Sequence, residues 1–144
     1  MEVKIKQLTI DDYDEIIRIW SVAGLPFRPK GRDSKALMGE EMKIETSCFF
    51  GLIAGNAMIG VAIGSYDGRR GWINRLAIDP DYRGKGYGMI LIEHVHEYLI
   101  SRGALVMAAL IHDDNYPSIS IFQKAGYVCE KEILYFAKRP SPDA

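Results

Sequence analysis

The passage through the middle of the chain constrains the fold most. Gly71–Ile78 reads as a strand, and Asp79-Pro80 stops it because proline has no donor for a ladder. Asp81-Tyr82 follows, then Arg83-Gly84-Lys85-Gly86-Tyr87-Gly88, then a long run that is apolar on one helical face (Met89, Ile90, Ile92, Val95, Leu99). Three alternating glycines remove three β-carbons, so bare backbone can approach an anion. The first amides of the helix point at such an anion, and the helix dipole favours its charge. Arg83 and Lys85 add positive charge. A glycine-rich turn that merely starts a helix has the same composition; the position between strand and helix favours a phosphate cradle. The spacing GxGxG is neither the dinucleotide fingerprint GxGxxG nor a Walker A loop, which needs Gly-Lys-Ser/Thr.

The segments before the loop predict a meander. Cys48–Ala54, Ala57–Tyr66 and Gly71–Ile78 are strands, joined at Gly55-Asn56 and Asp67-Gly68. Upstream, Val3, Ile5 and Gln7 share a strand face, and Thr9 caps a helix whose stripe is Tyr13, Ile16, Ile17 and Trp20. A second helix starts near Asp33 or Ser34, with Leu37, Met38, Met42 and Ile44 as its apolar positions. Downstream, Gly103 stops the long helix, and the apolar run Ala104–Ile111 reads as a buried central strand. Asn115–Ala125 is a helix, and Tyr127–Lys138 a last extended region of one or two strands. The order β-α-α-β-β-β-α-β-α-β predicts an α/β (α+β) fold, a mixed sheet with helices on both faces. One domain over residues 1–139 is expected, with a disordered end at 140–144.

A formal net charge of −1 gives no bulk attraction for nucleic acid or an anionic membrane. With no signal-like N-terminus and no apolar run of about 18 residues, a cytoplasmic location is the simplest expectation. Cys48 and Cys129 read as buried free thiols, and no Cys/His cluster has metal spacing, so no metal is expected.

The loop and its flanks resemble the GCN5-related N-acetyltransferase (GNAT) superfamily. The family pattern Arg/Gln-x-x-Gly-x-Gly/Ala is matched by Arg83, Gly86 and Gly88, and Leu76-Ala77-Ile78-Asp79-Pro80 is similar to Leu-Ala-Val-x-Pro. Asn115, Ser118, Phe122 and Gly126-Tyr127 resemble a third motif in the same order. The resemblance implies a single GNAT-like domain and acetyl-CoA as donor. It assigns the pyrophosphate to the amides of Arg83, Gly84, Lys85, Gly86, Tyr87, Gly88 and Met89. The pantetheine arm goes to Leu76, Ala77 and Ile78, flanked by Asn115 and Ser118, with Phe122 near the thioester. The next strand would splay away and open a V-shaped cleft.

Acyl transfer to an amine needs a neutral nucleophile and a proton for the leaving thiolate. The family's tyrosine position holds Phe122, which has no proton to give, and the usual carboxylate positions are empty. Candidate substitutes are Asn74, which can hold a water, His112, with its suitable intrinsic pKa, and Tyr116 beside Asn115. A polar strand-edge residue, a surface histidine and a packing tyrosine are the alternatives to those roles. The resemblance implies a small-molecule or peptide amine as acceptor; a non-catalytic acyl-CoA-binding module is the competing reading. An edge strand near the C-terminus offers a route to a homodimer.

Overall fold

The computed structural model describes residues 2–144. Its chain order is β1 (Val3–Gln7), α1 (Tyr13–Val22), α2 (Lys35–Glu41), β2 (Ser47–Ala54), β3 (Ala57–Tyr66), β4 (Arg70–Ile78), α3 (Tyr87–Arg102), β5 (Val106–Ala108) and α4 (Tyr116–Lys124). The sheet runs β1-β2-β3-β4-β5, antiparallel except for the parallel β4/β5 pair. This is the mixed α/β architecture read from the sequence, with a meander whose strand bounds lie within a residue of those expected.

Local chemistry explains most boundaries. Thr9 caps a short 3-10 turn, Ile10–Asp12, rather than α1 itself; its Oγ1 accepts the Asp11 N–H, while Asp12 Oδ2 accepts the Thr9 N–H. Ser34 Oγ accepts the Leu37 N–H at 3.2 Å and starts α2. At the β3–β4 turn, Asp67 accepts the amides of Arg69 and Arg70 and the Trp72 indole N–H. These bonds, the indole's first, pull the Asp67 carboxyl down to about 2.

Two cores lie on opposite faces of the sheet. One joins Phe50, Leu52, Ile59, Ile73, Leu76 and Ile78 to Leu91, Ile92, Val95, Leu99 and Phe122 of α3 and α4. The other joins Phe49, Val61, Ile63 and Ala77 to Ile16, Ile19, Trp20 and Met38 of α1 and α2. Each fully buried large apolar side chain contributes roughly 1.5–3 kcal/mol. In α2 only Met38 is buried; Leu37 is exposed, and Ile44, read as another apolar position of this helix, lies beyond its end and is exposed too.

Two departures concern the C-terminal third. The run Ala104–Ile111 forms only the short strand β5, and at the sheet edge rather than its centre; Leu105 is 91% exposed. The segment 127–138 forms no strand. With no neighbour on its outer side, β5 has neither a ladder to lengthen it nor a layer to bury it. The last residues form a turn, Ala144 N–H to Ser141 C=O at 3.2 Å, and the Asp143 carbonyl packs against Gly31.

Candidate functional site

A cleft of about 350 Å³ opens where β4 ends and α3 begins. Its walls are Leu76, Ala77 and Ile78 of β4, the turn and loop from Tyr82 to Met89 except Lys85, the face Pro117, Ser118, Ser120, Ile121 and Lys124 of α4, and Ala23 and Leu25 beyond α1. Asn115 stands at its edge as the N-cap of α4, its Oδ1 accepting the Ser118 N–H at 3.3 Å.

The loop glycines have different jobs. Gly84 (φ 77°) and Gly86 (φ 83°) are left-handed, and a β-carbon at either would meet nothing within 4 Å. These two keep the backbone bare toward the cleft. Gly88 is buried in α3, and a β-carbon there would stand 2.7 Å from Ile121 Cδ1, so this glycine lets α3 and α4 approach. Gly86 caps α3 with no side-chain acceptor, which leaves the amides of Tyr87, Gly88 and Met89 directed at the cleft. A dipole end, bare backbone and an adjoining slot fit a pyrophosphate with an extended arm.

The arm side follows from strand pairing. β4 pairs with β5 only from Arg70 to Trp72, opposite Val106 to Ala108. Beyond that the two strands part, and the β5-facing edge of Leu76–Ile78 has no strand partner, while β3 holds the other edge. Asn74 Oδ1 accepts the Leu110 N–H at 3.0 Å just where the ladder stops. Asn74 thus pins the mouth of the V.

Other candidates are placed differently. Arg83 is not a free charge: its Nε donates to the Ile78 carbonyl and its Nη2 to the Ala23 carbonyl, both at 3.3 Å, so it ties β4 to α1. Lys85 is exposed outside the lining, with Nζ 5.8 Å from the Tyr82 ring. Phe122 points into the core rather than the cleft, edge-on to Tyr127 at 5.0 Å, because its helix faces α3 there. Tyr116 is 72% exposed and His112 is exposed, and neither lines the cleft. Asn74, His112 and Tyr116 therefore form no constellation. Cys48 is buried, and burial pushes its thiol up to about 11; Cys129 is exposed rather than buried.

Sequence reasoning named Asn115 and Ser118 but missed the rest of the α4 face, and the turn after α1. The spacing of Pro117, Ser120, Ile121 and Lys124 is a helical stripe that marks the first of these. It also missed a charged cluster beside the cleft. On β3 two steps, Val61 to Ile63, lie opposite three on β4, Ala77 to Asn74. This bulge holds Arg75 at φ 59°, the one left-handed residue other than glycine among those described. The guanidinium stacks 4.2 Å from the Trp20 ring centroid. Burial lowers the Arg75 pKa, while Asp33 and Glu41 oppose that change. Burial, then Asp33, raises the Glu41 carboxyl.

The model of the acetyltransferase (GNAT) family matches residues 13–127. An acetyltransferase of Sodalis glossinidius (strain morsitans) is 29% identical over 137 residues, covering 95% of each chain. One from Yersinia pseudotuberculosis is 30% identical over 134 residues, 93% of this chain and 92% of the relative. Among solved structures, PaiA N-acetyltransferase of Thermoplasma acidophilum in complex with coenzyme A superposes with a TM-score of 0.78, at 22% identity over 90% of this chain and 92% of that one. AAC(6')-Iy in complex with a bisubstrate analog, CoA-S-monomethyl-acetylneamine, gives 0.78 at 18% identity, over 96% and 99%. At these identities the two structures speak to the fold. The family match over most of the chain, the relatives over 93–95% of it and the cleft at the foot of α3 agree: the chain belongs to the GNAT acetyltransferase family.

Proposed function

We propose that this chain transfers an acetyl group from acetyl-CoA to a primary amine of a small molecule or peptide, by direct attack in a ternary complex within one domain spanning residues 1–139. One observation carries the reading: the bare left-handed backbone at Gly84 and Gly86 is continuous with a cleft that ends on the unpaired edge of β4. The first-turn amides of α3 would hold the pyrophosphate, and Leu76–Ile78 the pantetheine amides. When bound, acetyl-CoA supplies an activated thioester.

The residues of the chain provide position rather than a dedicated acid. Asn74 holds β4 and β5 at a fixed opening, so an amine entering between them meets the end of the slot in one orientation. The new bond joins the amine nitrogen to the acetyl carbon as the carbon–sulfur bond breaks. The amine proton leaves to water, and the released sulfur takes one back. His112 and Tyr116 lie outside the cleft lining, so the reading assigns no side chain to hold that water.

A second reading, a non-catalytic acyl-CoA-binding module, draws on the burial of Phe122 against Tyr127 at the position where the family carries its tyrosine. We place the protein in the cytoplasm, consistent with the absence of any described helix long and apolar enough to cross a membrane. The exposed β5 edge is our proposed surface for a homodimer.

Calorimetric titration with acetyl-CoA, followed by thiol release across an amine panel, tests the proposal. Saturable one-to-one binding with amine-dependent release is expected. Binding without release from any amine would favour the second reading, and no binding at millimolar cofactor would refute both.

A further inference from the structure

The cluster around Arg75 goes beyond acetyl transfer as such, because it bears on which amine is used. The Nε and Nη2 atoms of Arg75 are buried and have no hydrogen-bond partner. These two nitrogens form one edge of the guanidinium, the fork that meets both oxygens of a carboxylate. Stacking on Trp20 fixes the plane of that fork. Buried donors without an acceptor are costly and uncommon in a finished fold, and a bound anion would relieve this pair.

No carboxylate within the described residues serves that purpose. Asp33 Oδ2 accepts the Arg28 N–H at 2.7 Å, and the Asp33 carbonyl accepts the Tyr13 hydroxyl at 2.7 Å. No ion pair joins Arg75 to Asp33, Glu41 or any other described acid within 4.0 Å. The bulge also places Arg75 against its backbone preference, a conformation that persists when the surroundings impose it and that gathers at ligand sites.

The position suits an acceptor. Arg75 lies two residues before Ala77, a wall of the cleft that packs in the same α1-side core as Trp20, on the side away from the loop glycines. Trp20, beneath the guanidinium, accepts the N–H of Leu25, another wall, at 2.9 Å. The exposed rim between α1 and α2 carries Arg28, Lys30 and Arg32, which favour approach of an anion. Entry is expected beside Phe27, whose ring lies 6.3 Å from that of Trp20 and whose neighbours Pro26, Arg28 and Pro29 are exposed.

We propose that Arg75 binds a carboxylate of the acceptor, so that the acetylated amine belongs to an amino carboxylate such as a free amino acid. The inference rests on the acetyl-transfer reading above.

The test compares acceptors in pairs under saturating acetyl-CoA, each amino acid against its amide and its decarboxylated amine. In the wild type the carboxylate-bearing member is expected to win in kcat/KM by roughly 10- to 100-fold, the range for a hydrogen bond to a charged group. Arg75→Met keeps an unbranched chain over Trp20; it should erase that preference mainly through KM and leave the acetyl-CoA Kd unchanged. Arg75→Lys should keep part of the preference. Equal wild-type rates within pairs would overturn the proposal without using a variant. So would a preference that survives Arg75→Met; loss of stability alongside it would mark Arg75 as an internal structural cation. Failure to acetylate any amine would instead sink the acetyl-transfer reading, and this inference with it.

Discussion

At the residue scale, glycines of similar appearance divide by what surrounds them. Gly86 sits at φ 83° over open space at the head of α3. Gly86→Glu would add left-handed strain of roughly 1–2 kcal/mol and a negative charge facing the proposed pyrophosphate. Acetyl-CoA affinity should fall by about tenfold or more while the far-ultraviolet spectrum is kept; calorimetry on the folded variant decides it, and unchanged affinity would remove the loop from the site. Glu41 is a different kind of residue, whose charge is disfavoured by burial and by Asp33. Its raised pKa means that its share of stability is fully present below the ordinary glutamate value and is lost as pH rises through the folded value. Glu41→Gln is therefore expected to melt above the wild type near pH 8, with the gap closing toward pH 4. A melting series over that range checks the sign.

At the element scale, β4 and α4 do most to shape the cleft. β4 is paired on one edge along its length and on the other only up to Trp72. Its bulge turns Arg75 toward α1, while Ile73 and Leu76, three apart, both face α3. α4 is held by the Asn115 cap at one end and by Phe122 and Tyr127 at the other. The Tyr127 hydroxyl is buried without a partner, and burial raises its pKa. Removing an unsatisfied buried hydroxyl is favourable, so Tyr127→Phe should stabilise the protein by about 1 kcal/mol in urea titration. A destabilised variant would reveal an acceptor for that hydroxyl.

At the scale of the whole molecule, the sheet separates two cores, and the cleft lies where α1, β4, α3 and α4 meet across it. The two thiols report on this layering. Cys48 is 4% exposed in the α3-side core, whereas Cys129 is exposed beyond α4. A thiol reagent near pH 8 should modify one cysteine of the native protein and both after denaturation. Two fast native thiols would contradict the packing around β2.

The sequence by itself determined the meander, the long helix and the glycine cradle. Each rests on neighbours in the chain: alternation, turn pairs, and glycines between a strand and a helix. Helix starts near Ser34 and Asn115 were legible for the same reason. What only the tertiary structure decided depends on partners far apart in sequence. The apolar run Ala104–Ile111 looks like a central strand, yet its place is set by whether a later strand covers it, and none does. Two cysteines in similar apolar surroundings were separated by which one a helix covers. Arg83 and Phe122 hold family positions, but one is tied to backbone carbonyls and the other turned into the core by the helices they touch. Above all, nothing near Arg75 in the chain announces a bulge. That follows from how β3 and β4 fall into register, and the register places a cation on Trp20 beside the cleft.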